Sequence, residues 1–156
     1  MAAYPTSAHS NDQGDSRTSA DHTPTVPPDV LPTGEVYDWY TRGVSLLEGG
    51  DSAAAAALLG RVAEMEPASR SVREALARSQ FDAGMYTEAA ENFGWITEQN
   101  PADDYAQFGL GLAAAKNGDL QTAVTHLALA AAMRPDINHY AIALRGARAA
   151  LAADRR

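Results

Sequence analysis

Residues 104–135 read DYAQFGLGLAAAKNGDLQTAVTHLALAAAMRP. Two stretches rich in alanine and leucine flank Asn117-Gly118-Asp119, and the run stops at Pro135. Alanine and leucine are strong helix formers, glycine supplies the positive φ that reverses a chain after a helix, and proline ends a helix because it lacks an N–H. The stretch therefore reads as two helices joined by a tight turn. It recurs. Stepping back 34 residues from Pro135 reaches Pro101 and then Pro67, and the same step from Gly118 reaches Gly84 and Gly50. At ordinary usage of about 5% Pro and 7% Gly, both columns would coincide by chance about once in 10⁵ trials.

Further columns keep the same period. Ala55, Ala89 and Ala123 repeat, as do the large apolar residues Leu59, Phe93 and Leu127. One small-residue column runs Gly43, Ala77, Gly111 and another runs Gly60, Gly94, Ala128. Glycine inside a helix costs about 1 kcal/mol relative to alanine, so Gly43 and Gly111 need a compensating reason. Close helix approach, with Leu59 or Leu127 packed over the gap, supplies one. The pattern predicts an all-α chain with seven helices near 36–48, 52–65, 69–82, 86–99, 103–116, 120–133 and 137–153.

The residues that carry these columns resemble the tetratricopeptide repeat (TPR). The first copy shows Trp39, Gly43, Gly50, Ala55, Leu59 and Pro67; the second Leu76, Gly84, Tyr86, Ala89-Ala90, Phe93 and Pro101. The third, with Leu110-Gly111, Asn117-Gly118-Asp119, Ala123, Leu127 and Pro135, is the fullest match. The resemblance implies a right-handed α-solenoid of antiparallel helix pairs, with repeats at about 36–69, 70–103 and 104–137. It also implies a carboxy-terminal capping helix at about 137–153. Five places depart from the family pattern: Arg42 stands for a leucine, Arg73 for an aromatic, Gln80 for a tyrosine, and Thr97 and Gln99 for leucines. These predict looser packing in the middle repeat.

Residues 1–34 have a different character. They are rich in Ser, Thr, Asp and Pro, lack hydrophobic periodicity, and read as a disordered tail before a TPR domain over 35–156. The tail carries Asp12, Asp15, Asp21 and Asp29 against Arg17, or −3, leaving −5 of the total −8 for the remainder. A net acidic chain with a single lysine, Lys116, is a poor nucleic-acid binder, because phosphate neutralisation needs Lys and Arg. The start, MAAYPTSAHSNDQGD, has no basic-then-apolar signal pattern, and the longest apolar run, Ala53 to Leu59, falls far short of the roughly 20 residues a membrane span needs. The expectation is a cytoplasmic protein, with no membrane partner. Alanine richness and arginine in place of lysine suggest a GC-rich bacterial genome.

Chemistry-bearing motifs are scarce. Cysteine is absent, and His9, His22, His126 and His139 are scattered without metal-ligand spacing. Gly109-Leu110-Gly111 lies inside a predicted helix and reads as packing, not as a phosphate loop. Glu64, Glu66, Asp103 and Asp104 flank the repeat-ending prolines and read as helix-end charges. The expectations are no catalytic residues, no metal, no cofactor, and no enzyme.

What remains is a surface. In the family that these repeats resemble, the first helices line a concave groove that holds a peptide or helix of a partner protein. In register, the groove residues are Tyr37, Tyr40, Val44 and Leu47, then Ser71, Glu74, Arg78 and Phe81, then Tyr105, Phe108, Leu112 and Ala115. Leu47 and Leu112 read equally well as core. Tyr40, Phe81, Tyr105 and Phe108 are expected to form one aromatic stripe that anchors a partner. Family members that grip chaperone carboxy-termini use Lys, Asn and Arg; Tyr40, Val44, Ala75, Tyr105 and Gly109 stand at those places, and none can hold a carboxylate by charge. The leading reading is an adaptor for a protein or peptide partner. The alternatives are a self-associating structural protein, including a homo-oligomer through Trp95, and a small TPR chaperone. Trp95 is expected on the outer edge of its helix, against a neighbouring subunit or Arg61.

Overall fold

The computed structural model describes residues 34–156. They form seven helices: α1 (Gly34–Glu48), α2 (Ser52–Met65), α3 (Arg70–Asp82), α4 (Tyr86–Gln99), α5 (Asp104–Lys116), α6 (Leu120–Met133) and α7 (Asn138–Asp154). Every expected boundary holds to within two residues. The expectation of a disordered tail lies outside the described residues, except that Gly34 opens α1.

The glycine and proline columns do what their chemistry requires. Gly50, Gly84 and Gly118 sit at φ +88°, +79° and +82°. The next residue in each case donates its N–H five residues back, Asp51 to Leu46, Met85 to Gln80 and Asp119 to Ala114, at 2.8–2.9 Å. This closure satisfies carbonyls that a helix end leaves orphaned. Ahead of the prolines, Glu66, Asn100 and Arg134 take φ of −126°, −143° and −132°. Proline pushes its predecessor out of the α region, so each second helix stops there. Asp51, Ser69, Asp103 and Asp119 then cap α2, α3, α5 and α6 by accepting a backbone N–H three residues on.

Each helix packs on its sequence neighbours, and α1, α3, α5 and α7 also touch in succession. Among the described residues α2, α4 and α6 make no such contacts with one another. The odd helices therefore crowd together on the concave side while the even ones splay outward.

The core is a set of saddles. A β-carbon added at Gly43 would lie 2.6 Å from Leu59 Cγ, and one at Gly111 would lie 2.7 Å from Leu127 Cγ. Those glycines buy close approach, as the spacing predicts. Each large residue of a second helix also meets the first helix of the next repeat. Leu59 shares a cluster with Ala75, Phe93 has its ring over Gly109, and Leu127 shares a cluster with Ala143. Sizes compensate: Leu59 and Leu127 sit between one glycine and one alanine, and the larger Phe93 sits between Ala77 and Gly109. The other small column behaves differently. At Gly60 and Gly94 an added β-carbon would meet nothing within 4 Å.

The departures from the family pattern have physical reasons. Arg42 is exposed, whereas its counterparts Leu76, Leu110 and Leu144 pack inward. The same holds for Asp38 against Val72, Ala106 and Tyr140, and for Ser45 against Ser79, Ala113 and Ala147. These positions bury against a preceding repeat, which α1 lacks among the described residues, so polar side chains there keep the end of the array wetted. Arg73 donates from Nε and Nη2 to the Pro67 carbonyl at 3.3 and 3.2 Å and from Nη1 to Asn92 Oδ1 at 3.1 Å. Asn92 Nδ2 in turn donates to Gln80 Oε1 at 2.8 Å. One repeat later, Gln107 Nε2 donates to the Pro101 carbonyl at 3.0 Å, and Gln107 Oε1 accepts from His126 Nδ1 at 2.6 Å. The corresponding pair in the first repeat is Trp39 and Leu58. Thr97 Oγ1 donates to the Gly94 carbonyl, and no buried side-chain polar atom among the described residues lacks a partner. The middle repeat is thus filled and satisfied, contrary to the looseness its sequence predicts.

Trp95 also departs from expectation. It is half-buried against the Phe93–Ile96 cluster, and the Arg73 guanidinium lies 4.7 Å from its ring centroid. The stacking cation comes from the same repeat; it is not Arg61.

Candidate functional site

The 34-residue register places four ladders along the concave side. Tyr37, Ser71, Tyr105 and His139 lie near the start of the odd helices, followed by Tyr40, Glu74, Phe108 and Ile142, then Val44, Arg78, Leu112 and Gly146, then Leu47, Phe81, Ala115 and Ala149. Tyr37 and Tyr105 are 45% and 38% exposed, enough to present their rings to solvent. Arg78 is exposed, while Val44, Glu74, Phe81, Phe108 and Leu112 are half-buried. Leu47 belongs to the core at 7% exposure, which decides between its two readings.

Five of the residues assigned to the groove converge on one cavity. Arg78, Phe81, Tyr105, Phe108 and Leu112 line a volume of about 210 Å³ between α3 and α5, together with Asp82, Phe93 and Gly109. Glycine at 109 lets the Phe93 ring approach from behind, since a β-carbon there would lie 2.6 Å from the ring. The first-repeat residues fall elsewhere. Tyr40 and Val44 pack on the Leu47–Leu59–Leu76 cluster, and Tyr37 is exposed near the start of α1.

The aromatic stripe is therefore divided, because each ring has its own partner. Phe81 meets Tyr86 edge-on at 5.2 Å, and Tyr105 meets Phe93 edge-on at 6.1 Å. Phe108 stacks on Tyr140 at 4.5 Å, with His139 edge-on at 5.2 Å. Ser71 and Glu74 interrupt the apolar surface between α1 and α5. Phe108 is consequently part wall and part scaffold, fastening α5 to α7.

Burial and hydrogen bonding keep the two tyrosines beside the cavity in their neutral form. Burial pushes the Tyr105 phenol above its ordinary range, so it stays protonated at neutral pH. Burial and the hydrogen bond to Asp104 raise Tyr140 further, its hydroxyl donating to Asp104 Oδ2 at 2.8 Å. Asp103, beside it, caps α5 and pairs with Arg70 at 2.9 Å. Both acids at the third repeat's start are structural. No three His, Asp or Glu side chains among the described residues converge to hold a metal ion, and no described helix is long and apolar enough to cross a membrane.

Sequence reasoning missed Asp82, Phe93, Gly109, His139 and Ile142. The last two were within reach of the register, since 105 and 108 plus one period give 139 and 142. Ile142 is 50% exposed, which extends the apolar surface onto α7.

The family profile described as "Tetratricopeptide repeat" matches residues 40–91 and 74–138, well over half of the chain. The chain belongs to the tetratricopeptide-repeat family. It is a right-handed α-solenoid of three TPR repeats closed by the capping helix α7. No curated protein matches the sequence. Among solved structures, a MamA double mutant superposes with a TM-score of 0.71 at 20% identity, covering 74% of this chain and 65% of that one, so this chain spans less than two thirds of that protein. The first TPR domain of Spaghetti (RPAP3), described as bound to the HSP90 peptide SRMEEVD, gives 0.70 at 16% identity, covering 78% and 97%. YrrB, described as a TPR protein with an unusual peptide-binding site, gives 0.67 at 23% identity, covering 72% and 58%. At these identities the likeness shows the fold alone.

Proposed function

We propose that this TPR domain is a protein-interaction module whose concave groove takes an apolar side chain of a partner segment into the cavity between α3 and α5. The carrying observation is the cavity itself: Phe81, Tyr105, Phe108 and Leu112 surround it, with Arg78 and Asp82 at its edge. Aromatic walls give a large contact area at low entropic cost, and partly desolvated pockets of this kind concentrate binding free energy. That RPAP3 and YrrB are described as peptide-binding TPR proteins supports the class of function.

The partner chemistry differs from the HSP90 tail named for RPAP3. Ala75 is buried and Gly109 lies under the Phe93 ring, so neither place presents a cation to a terminal carboxylate. Self-association by end-to-end stacking has less support than groove binding. Asp38, Thr41, Arg42 and Ser45 line one end, and Arg145 and Arg148 are exposed on the capping helix.

The test begins with selection of binding peptides from a random displayed library against the full chain. Tyr105→Ala and Leu112→Asp are expected to weaken the selected peptides by tenfold or more, and Glu91→Ala on α4 to leave them unchanged. Equal binding by all three variants would reject the groove.

A further inference from the structure

The cavity between α3 and α5 has apolar walls and a charged edge. Arg78 and Asp82, the charged residues that line it, stand four positions apart on α3, and both are exposed. At 1.5 Å of rise per residue they are about 6 Å apart along the helix. Opposite charges at that spacing pair best when the acid comes first, and here the base comes first. Neither residue enters the two ion pairs found among the described residues, so the two do not neutralise each other.

The neighbouring charges are placed differently. Arg78 is the only Lys or Arg on the four concave ladders. Glu74, one turn earlier, is half-buried and not free. Asp103 caps α5 and pairs with Arg70 at 2.9 Å. Lys116, at the end of α5, lies over the Tyr86 ring, 5.9 Å from its centroid. Beyond burial, which raises it most, the Tyr105 phenol is pulled down by Arg78 and up by Glu74, Asp82 and Asp103. Charges of both signs therefore act on one wall of the cavity, and the open ones that line it are Arg78 and Asp82. An apolar side chain seated in the cavity brings its neighbours against this edge and strips water from both. A charge desolvated without a counter-charge costs more than a matched pair returns. A purely apolar segment leaves both unmatched. A segment of one sign leaves one unmatched and sets like charges together. Only a segment carrying both signs satisfies the edge.

We infer that the partner segment presents an apolar residue flanked by one acidic and one basic side chain. The acid meets Arg78 and the base meets Asp82 while the apolar residue fills the cavity. Helix α3 thereby selects among partners that share the same anchor, by the sign of the residues beside it. The inference rests on the cavity being the anchor's seat, as proposed above.

The test challenges the full chain with a displayed library of random peptides that share one central leucine. Binders of the parent are expected to be enriched about threefold or more in acidic residues on one side of the leucine and in basic residues on the other, within the range that exposed ion pairs supply. Arg78→Glu should shift the selection to basic residues on both sides, and Asp82→Lys to acidic residues on both. Both positions are exposed, so circular dichroism should show the parent's helical content in each variant. A peptide selected on the parent should bind Arg78→Glu about tenfold more weakly, and exchanging its acidic residue for lysine should restore most of that loss. Binders with no charge preference, binders of one sign only, or a preference that the reversals leave unchanged would overturn the inference. A library that yields no binder overturns both readings. Otherwise the two fail separately. If Tyr105→Ala weakens the selected peptides while the reversals leave their charges unchanged, the cavity stands and the flanking rule falls. If the charges follow the reversals while Tyr105→Ala and Leu112→Asp leave binding unchanged, α3 recognises charge and the cavity is not the anchor's seat.

Discussion

Placing the same methyl group at two helical glycines should give opposite signs. At Gly94 an added β-carbon meets nothing within 4 Å, so Gly94→Ala gains helix propensity, about 1 kcal/mol, at no steric cost. At Gly109 the β-carbon would lie 2.6, 2.6 and 2.7 Å from Cε1, Cζ and Cε2 of Phe93. Carbon atoms prefer about 3.5–4.0 Å, so the ring or α5 must move by about 1 Å. Phe93 is only 2% exposed and has little freedom to turn away. Overpacking costs about 1–3 kcal/mol, and a buried ring that must shift by about 1 Å belongs to the upper part of that range, about 2–3 kcal/mol; set against the propensity gain of about 1, this leaves a net loss of about 1–2 kcal/mol. With about 120 helical-domain residues and about 2.1 cal/mol/K each, 1 kcal/mol moves Tm by about 4 °C. Thermal melts followed by circular dichroism should therefore show Gly94→Ala about 3–4 °C above the parent and Gly109→Ala about 4–8 °C below it. Phe93→Leu should partly rescue Gly109→Ala, because Leu59 already shares its cluster with Ala75 at the equivalent place. The coupling in that double-mutant cycle should be favourable by about 1 kcal/mol. A Gly109→Ala protein that melts at or above the parent would refute the saddle account of the core.

Further outcomes follow from the polar features. Changing Asp38→Val, Arg42→Leu and Ser45→Ala together should turn the wetted end of the array into an apolar one; light scattering should then show mass rising with concentration, while the parent's mass stays flatter over the same range. Arg73→Ala removes the bonds to Pro67 and Asn92 and the stacking on Trp95, so it should cost about 1–3 kcal/mol and shift tryptophan emission to the red. Burial lowers the His126 pKa below its ordinary 6.5, so the unfolded state binds the extra proton first as pH falls. Its stabilising contribution is present above about pH 6.5 and is lost on acidification, and His126→Gln should flatten the fall of Tm between about pH 6.5 and 5.

The repeat was legible because its signals are local. A glycine at φ near +80° and a proline that ends a helix act within a few residues, so their spacing carries over into helix boundaries. The Gly43–Leu59 and Gly111–Leu127 contacts were legible for the same reason, since both partners lie inside one repeat. Partnerships between repeats were harder to read. Phe93 packs over Gly109 of the next repeat. Polar pairs inside one repeat were also hard to read: Arg73 reads only as a missing aromatic, although Asn92 stands one period before His126 just as Arg73 stands one period before Gln107. In both later repeats a polar residue on the first helix meets a polar residue on the second, where the first repeat has Trp39 and Leu58. Paired change of that kind is visible in a single chain once the columns are compared two at a time.

The candidate site was legible only as a face. Register tells which side of a helix a ring occupies, and it puts Phe81, Tyr105, Phe108 and Leu112 on one face, where they line one cavity. It does not tell which rings are already engaged. Phe108 gives one face to Tyr140 from the capping helix, so removing it disturbs α5–α7 packing as well as the groove. Tyr105 touches Phe93 only by an edge and keeps 38% of its surface exposed, so it is the better single reporter of binding. The capping helix thus has two physical roles. It buries the end of the last repeat through Leu144 and Ala147, and through Tyr140 and His139 it holds the wall of the cavity in place. Shortening the chain before α7 would remove both roles at once, so loss of binding in such a truncation says nothing about the groove.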